Sequence, residues 1–122
     1  MNTRRITESG EQQAVIEWCR MNMGRYPMLK NIYHAANEGK RNPATGKRMV
    51  SEGLKKGVPD LCLPVPRGSY GALYIDMKIK PNKPTQAQEE CIRDFRSAGN
   101  LVCVCYSAEE AIKIIERYLT ED

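Results

Sequence analysis

"KKGVPDLCLPVPRGSYGALYIDMKIK", residues 55–80, is the stretch that decides the fold. In its second half, "ALYIDMKI" alternates apolar and polar residues, which is the period of a β-strand with two different faces. Asp76 and Lys78 are two residues apart, so their side chains leave the same face. In the first half, "VPDLCLPV" predicts a second strand, and its prolines restrict it to an edge or an end of a sheet. The "PRGSYG" segment between the two predicts a turn.

The charged residues of these two strands predict a metal site. If the strands pair through the turn, Asp60 at the start of the first strand comes close to Asp76. Two neighbouring carboxylates repel each other unless a cation joins them, and Mg²⁺ or Mn²⁺ takes oxygen ligands. Lys78 would then orient water and neutralise the charge that develops when water attacks a phosphodiester. The same residues are also compatible with a solvent-facing ion pair and an ordinary Pro-Asp turn.

Helical periodicity predicts three helices around this hairpin. The first covers residues 8–23, with Thr7 or Ser9 as its cap, and the others are "TQAQEECIRDFRSAG" and "SAEEAIKIIERYL". "MLKNIYHAAN" predicts a short strand centred on Ile32 and Tyr33, and the apolar run "NLVCVCYS" predicts a buried central strand. This order of elements predicts an α/β fold in which a central mixed β-sheet is flanked by α-helices.

Composition bounds the class of protein. The chain has 122 residues, 41% of them hydrophobic and 28% charged, which predicts a single soluble domain over residues 1–122. It has neither a signal-like N-terminus nor an apolar run long enough to span a bilayer, so we expect no membrane partner and a cytoplasmic location, in a bacterium or a phage-infected cell. The five cysteines fit small core residues better than a structural zinc site.

The positive charge is concentrated in the middle of the chain. Residues 30–83 hold eleven basic and four acidic side chains, a balance that suits a polyanionic partner such as DNA, although charge alone slightly favours the alternative of a solvated lysine-rich loop. Residues 38–57 predict a long, mobile, basic loop with one helical turn near Met49–Leu54. The basic residues that we expect to contact DNA are Lys40, Arg41, Lys47, Arg48, Lys55, Lys56 and Lys80.

These motifs resemble a known nuclease family. "GVPDLCLP" followed by "LYIDMK" is similar to the PD-(D/E)XK signature, and "HAANEGKR" before it and the segment from Lys83 to Leu119 after it extend the resemblance. Together they resemble the virus-type replication–repair nuclease (VRR-NUC) domain, in the minimal standalone form that bacteriophages encode. The resemblance implies a restriction-endonuclease-like fold and Mg²⁺- or Mn²⁺-dependent cleavage at Asp60, Asp76 and Lys78, with the Met77 backbone carbonyl as a further metal ligand.

The resemblance also implies roles for residues outside the hairpin. Gln88 matches the family's glutamine near the scissile phosphate, although "TQAQ" is also a capping box in which Gln88 would bond to the helix start. A first-helix glutamate is expected at the metal. Glu11 is preferred, and Glu8 is the alternative. Asn37 belongs to the family's "NEG" segment and is a candidate DNA contact. His34 fits a structural role.

We therefore expect a metal-dependent endonuclease for branched DNA in repair, acting on Holliday (four-way) junctions. Such a junction has two symmetric strands to cut, so a chain with one site would act as a homodimer. The first alternative is a nuclease for flaps, nicks or ends. The second is a module that binds DNA on a nuclease fold without cutting it.

Overall fold

A four-stranded mixed sheet forms the centre of the protein. The computed structural model describes residues 5–35 and 43–121, apart from the side chains of residues 43–45. The strands are β1 (Tyr33–His34), β2 (Leu61–Leu63), β3 (Leu73–Met77) and β4 (Leu101–Cys105), in the order β1-β2-β3-β4. The first three pair antiparallel, and β3 pairs parallel with β4. The predicted mixed sheet and the predicted pairing of the hairpin strands are confirmed.

Four α-helices accompany the sheet. Their bounds are α1 (Glu8–Met21), α2 (Pro43–Ser51), α3 (Gln86–Ser97) and α4 (Ala108–Thr120), and a short 3₁₀ helix covers Pro27–Asn31. Three of them begin at a hydroxyl residue whose side-chain oxygen accepts a hydrogen bond from the first turn. These residues are Thr7 for α1, Thr85 for α3 and Ser107 for α4.

The two faces of the sheet have different neighbours. Leu61, Leu73, Ile75 and Met77 face α1 and α4, and they form one buried core with side chains of those helices. Residues of opposite parity face α3. Tyr74 packs against Phe95 with ring centroids 4.8 Å apart, and it is on the same side of β3 as Asp76. The polar residues of β3 therefore lie on the α3 face of the sheet.

The prediction of a basic loop over residues 38–57 is wrong in the middle of that segment. Residues Pro43–Ser51 form α2, a helix of nine residues where a single turn was expected. Proline is well suited to the first helical position, because it needs no backbone N–H there. This segment has few apolar residues, so its sequence shows no clear helical periodicity.

Two strand predictions also need correction. The strand predicted to be central is in fact the edge strand β4. Its apolar run reflects helices on both faces, and Arg96 covers part of its open edge by donating from Nη2 to the Val102 carbonyl at 2.8 Å. Much of the strand predicted around Ile32 is the 3₁₀ helix, and only Tyr33–His34 pair with β2. None of the helices that the structure describes is long and apolar enough to span a membrane.

Candidate active site

The register of the hairpin brings two carboxylates together. Leu61 pairs with Ile75 in an antiparallel register. Asp60, which precedes Leu61, and Asp76, which follows Ile75, are therefore opposite each other on the α3 face. Asp60 Oδ2 accepts a hydrogen bond of 2.7 Å from the Met77 backbone N–H, which fixes this carboxylate at the end of β3. The charge and hydrogen-bonding capacity of Asp60 both raise the pKa of Asp76, so the two carboxyl groups are close neighbours.

Asp76 is buried without a donor. Its side chain is 1% exposed, and neither carboxylate oxygen receives a hydrogen bond from the residues that the structure describes. Burial and the charge of Asp60 raise the pKa of Asp76 to about 7. Because two ionised carboxylates are both acceptors, they can hydrogen-bond to each other only when one of them holds a proton. At neutral pH, Asp76 therefore needs either a proton or a cation.

Lys78 supplies the only favourable charge among the causes of this shift. Its side chain is 7% exposed, and its ammonium lowers the pKa of Asp76, opposing the larger effect of burial. The Lys78 backbone N–H donates to the Cys105 carbonyl at 2.9 Å, which continues the parallel pairing of β3 with β4. The backbone of Lys78 is thus fixed by the sheet, and its side chain lies on the Asp76 face.

The donor set at this position fits a hard divalent cation. Two carboxylates, one of them buried with both oxygens unpartnered among the described residues, are suitable ligands for Mg²⁺ or Mn²⁺, which keep several waters. The Met77 N–H points towards Asp60, and in a strand the N–H and C=O of one residue point to the same side, so the Met77 carbonyl faces Asp60 as well. Within residues 5–35 and 43–121, no group of three or more His, Cys, Asp or Glu side chains forms a complete metal cage.

The structure separates the two candidate glutamates of α1. The charge of Glu8 reaches Asp76 and contributes to raising its pKa, after the larger effects of burial and Asp60. Glu11 Oε1 instead accepts a hydrogen bond of 3.1 Å from the backbone N–H of Ala108, at the start of α4. Glu11 was the preferred metal ligand from the sequence, but its carboxylate is engaged at a helix N-terminus. Which of the two glutamates would join a metal site stays a prediction.

Gln88 forms the capping box that the sequence offered as one of its two roles. Its Oε1 accepts from the Thr85 N–H at 2.8 Å, while its own N–H donates to Thr85 Oγ1 at 3.2 Å.

A Cβ atom at Gly57 would lie 2.5 Å from the Ala87 carbonyl oxygen. The glycine of "GVPD" therefore packs directly on the first turn of α3, a role that no local sequence pattern predicts.

Five of the basic residues expected to contact DNA lie in the part of the chain that the structure describes. Lys47, Arg48, Lys55, Lys56 and Lys80 are all exposed. Arg48 forms an exposed ion pair with Glu52 at 3.6 Å. Burial raises the pKa of the Cys91 thiol; the nearby Lys55 ammonium opposes this rise, and Asp76 adds to it. Both charges therefore act on the pKa of Cys91, so Lys55 lies on the same side of the protein as Asp76. Asn37, Lys40 and Arg41 lie outside the described residues.

His34, expected from the sequence to be structural, also contacts the site. Its Nδ1 lies 3.2 Å from the backbone carbonyl oxygen of Asp60 and 3.0 Å from Nε2 of Gln12. The pairing of β1 with β2 produces the first contact, and no sequence pattern predicts the second, because the two residues are 22 positions apart.

A family model and a solved structure are similar to this chain. The VRR-NUC domain model matches residues 3–109. A solved structure described as a VRR-NUC domain protein is 27% identical, with a TM-score of 0.81, and the alignment covers 96% of this chain and 91% of the other. No curated protein sequence matches the chain.

Proposed function

The chain belongs to the VRR-NUC family, whose domains are nucleases of the PD-(D/E)XK type, and on that premise we propose that it is a metal-dependent endonuclease for branched DNA. The observation that carries the metal dependence is Asp76, which is 1% exposed, faces a second carboxylate and has no donor among the described residues. A charge buried in this way is costly unless a cation compensates it.

The proposed ligands are Asp60, Asp76 and the Met77 carbonyl, with Glu8 as the helix-one carboxylate. When bound, Mg²⁺ or Mn²⁺ supplies Lewis-acid stabilisation of the phosphate and makes attached water more acidic. The reaction is attack of a water oxygen on phosphorus, with loss of a proton from the water and cleavage of one phosphorus–oxygen ester bond. The products are a phosphate monoester and a sugar hydroxyl.

Lys78 is the proposed electrostatic catalyst. The sheet fixes its backbone, and its ammonium lies close enough to Asp76 to lower that residue's pKa. A positive charge held in a partly dry site stabilises the negative charge that grows on the phosphate oxygens in the transition state. The capping bonds of Gln88 leave its amide nitrogen available, so this residue remains a candidate phosphate contact at the start of α3.

The proposed substrate is four-way junction DNA, cut by a homodimer. Two symmetric cuts require two sites, which a two-fold dimer would supply. Apolar side chains available for such an interface are Met21, 77% exposed, and Met28, 44% exposed. Trp18 is partly buried against the core and packs near Tyr26, so it supports the monomer rather than a dimer surface.

Cleavage of matched substrates tests this proposal. Junction, flap, nicked and linear DNA of the same sequence are incubated with the wild type in Mg²⁺ or Mn²⁺, and the mass of the protein in solution is measured alongside. We expect symmetric junction cuts by a dimer and no cuts by Asp60→Ala. Preferred cutting of flaps or ends by a monomer would replace the junction assignment with the second nuclease class. Binding without cutting by wild type and variant alike would leave only a DNA-binding module.

A further inference from the structure

A short polar chain connects α1 to the backbone of Asp60. The Gln12 amide nitrogen lies 3.0 Å from His34 Nδ1, and the same nitrogen of His34 lies 3.2 Å from the Asp60 carbonyl oxygen. That carbonyl also accepts the Ala35 N–H at 2.9 Å, while the Asp60 carboxylate accepts the Met77 N–H. Asp60 is thus held at both its backbone and its side chain.

Gln12, the α1 residue in this series of polar contacts, is on the face of the helix that carries Glu8. Glu8 and Gln12 are four residues apart, so they project from the same side of the helix. Glu8 is the carboxylate of α1 whose charge reaches Asp76. Any shift of α1 relative to β2 would therefore move Glu8 relative to Asp60 and Asp76, and the contacts from Gln12 through His34 resist that shift.

The tautomer of His34 decides whether the chain is continuous. With a proton on Nδ1, the ring donates to the Asp60 carbonyl, and the Gln12 amide turns over so that its oxygen, in place of its nitrogen, faces the same proton. With the proton on Nε2, Gln12 donates to the ring and the bond to Asp60 is lost. Only the first arrangement links all three residues.

We propose that Gln12 and His34 are positioning residues that hold the α1 carboxylate of Glu8 in register with Asp60 and Asp76. This inference rests on the proposed metal site. Partners of a metal ligand that orient it commonly change metal affinity by about tenfold or more when removed. The contacts of Gln12 and His34 are exposed and reach Asp60 through its backbone, so we expect their removal to lower the metal affinity about tenfold.

The experiment measures binding of Mn²⁺ alone, from the rise of the thermal unfolding midpoint as Mn²⁺ is added. His34→Ala and Gln12→Ala should each raise the half-saturating Mn²⁺ concentration about tenfold. His34→Asn can place an amide N–H near the position of Nδ1 and should restore most of the affinity. Gln13→Ala is the matched control, because Gln13 is the next residue of α1 and bonds only locally, to Ser9.

A double-mutant cycle tests whether the effect passes through Glu8. In a Glu8→Gln background, His34→Ala should cause little further loss of Mn²⁺ affinity. The full tenfold loss in that background, or wild-type Mn²⁺ affinity in the single variant His34→Ala, would overturn the inference while leaving the proposed function intact. A wild-type protein that Mn²⁺ does not stabilise would overturn the metal site and this inference together.

Discussion

At the scale of single residues, Asp76 connects the fold to the chemistry. Its neighbours on β3, Ile75 and Met77, are buried in the core. This packing holds the strand in place and keeps the Asp76 carboxylate from moving out into solvent. Burial and the Asp60 charge raise the pKa of Asp76 to about 7, and the structure describes no donor that satisfies it. Asp76 should therefore lower the free energy of unfolding of the metal-free protein, and a bound cation should compensate its buried charge.

The first prediction concerns the pH dependence of stability without metal. The pKa of Asp76 is raised on folding, so between about pH 4 and pH 7 the folded chain holds a proton that the unfolded chain has lost. Stability from this group is therefore lost as pH rises through that window, by about 4 kcal/mol. Urea unfolding at several pH values, with a chelator present, measures this loss.

Asp76→Asn is the control for that measurement. The amide can donate to Asp60 and does not ionise, so this variant should be more stable than the wild type at pH 8 and should lack this part of the pH dependence. Parallel pH profiles for the two proteins would show that Asp76 is not the group responsible.

The second prediction separates Lys78 from metal binding. Lys78→Ala should lower the cleavage rate about 100- to 1,000-fold, because a fixed charge near the phosphate is lost. The carboxylates remain, so stabilisation by Mn²⁺ should persist. Lys83→Ala, in the exposed segment after β3, should cleave like the wild type. A Lys78→Ala enzyme that cleaves within a few-fold of the wild type would remove Lys78 from the mechanism.

At the scale of elements, the hairpin and α3 are positioned by interactions that sequence patterns capture unevenly. Strand alternation predicted the pairing of β2 with β3 and therefore the meeting of Asp60 and Asp76. Capping residues predicted the start of α3, because these signals are local. The approach of Gly57 to Ala87 joins residues far apart in the sequence, and only the folded chain reveals it.

The third prediction tests that approach. Gly57 has φ +83°, and a Cβ there would lie 2.5 Å from the Ala87 carbonyl oxygen. Gly57→Ala should lower the free energy of unfolding by about 3 kcal/mol, since backbone strain and a clash act together. Gly53→Ala is the matched control: Gly53 has φ +107° but open space around it, so only strain of about 1 kcal/mol is expected. Equal losses in chemical denaturation would contradict the close packing.

The same reasoning explains the errors at the element scale. β4 carries a continuous apolar run because α3 and α4 cover its two faces, not because it is central. For α1, spacing along the chain placed both Glu8 and Glu11 near the site, and the choice between them as metal ligand stays a prediction. The contact of Glu11 with Ala108 depends on where α4 begins, which is a property of the folded protein.

At the scale of the whole molecule, basic residues on the two sides of the sheet have different neighbours. Lys55 and Asp76 both act on Cys91 of α3, whereas the exposed basic residues of α4, Lys113 and Arg117, pair with glutamates of their own helix end. Composition alone predicted a basic middle segment and a polyanionic partner. It could not predict that Lys55 and Asp76 would both lie beside Cys91 of α3.

The fourth prediction uses that asymmetry. Lys55→Ala combined with Lys56→Ala should weaken binding to junction DNA in a metal-free buffer. The slope of log affinity against log salt should fall by about one for each DNA phosphate that these lysines neutralise in the wild type. Lys113→Ala combined with Arg117→Ala removes the same charge from the opposite side and should leave the slope unchanged. Equal slopes for the two double variants would place the DNA elsewhere.

The central claim is that Asp60 and Asp76 share a divalent cation, and the most direct test is a crystal structure of the protein soaked in Mn²⁺, with anomalous scattering used to locate the ion. We predict an anomalous peak bounded by the carboxylates of Asp60 and Asp76 and the carbonyl of Met77, on the Glu8 side of α1. A peak elsewhere, or a fully soaked crystal with no peak between these two carboxylates, would contradict the account.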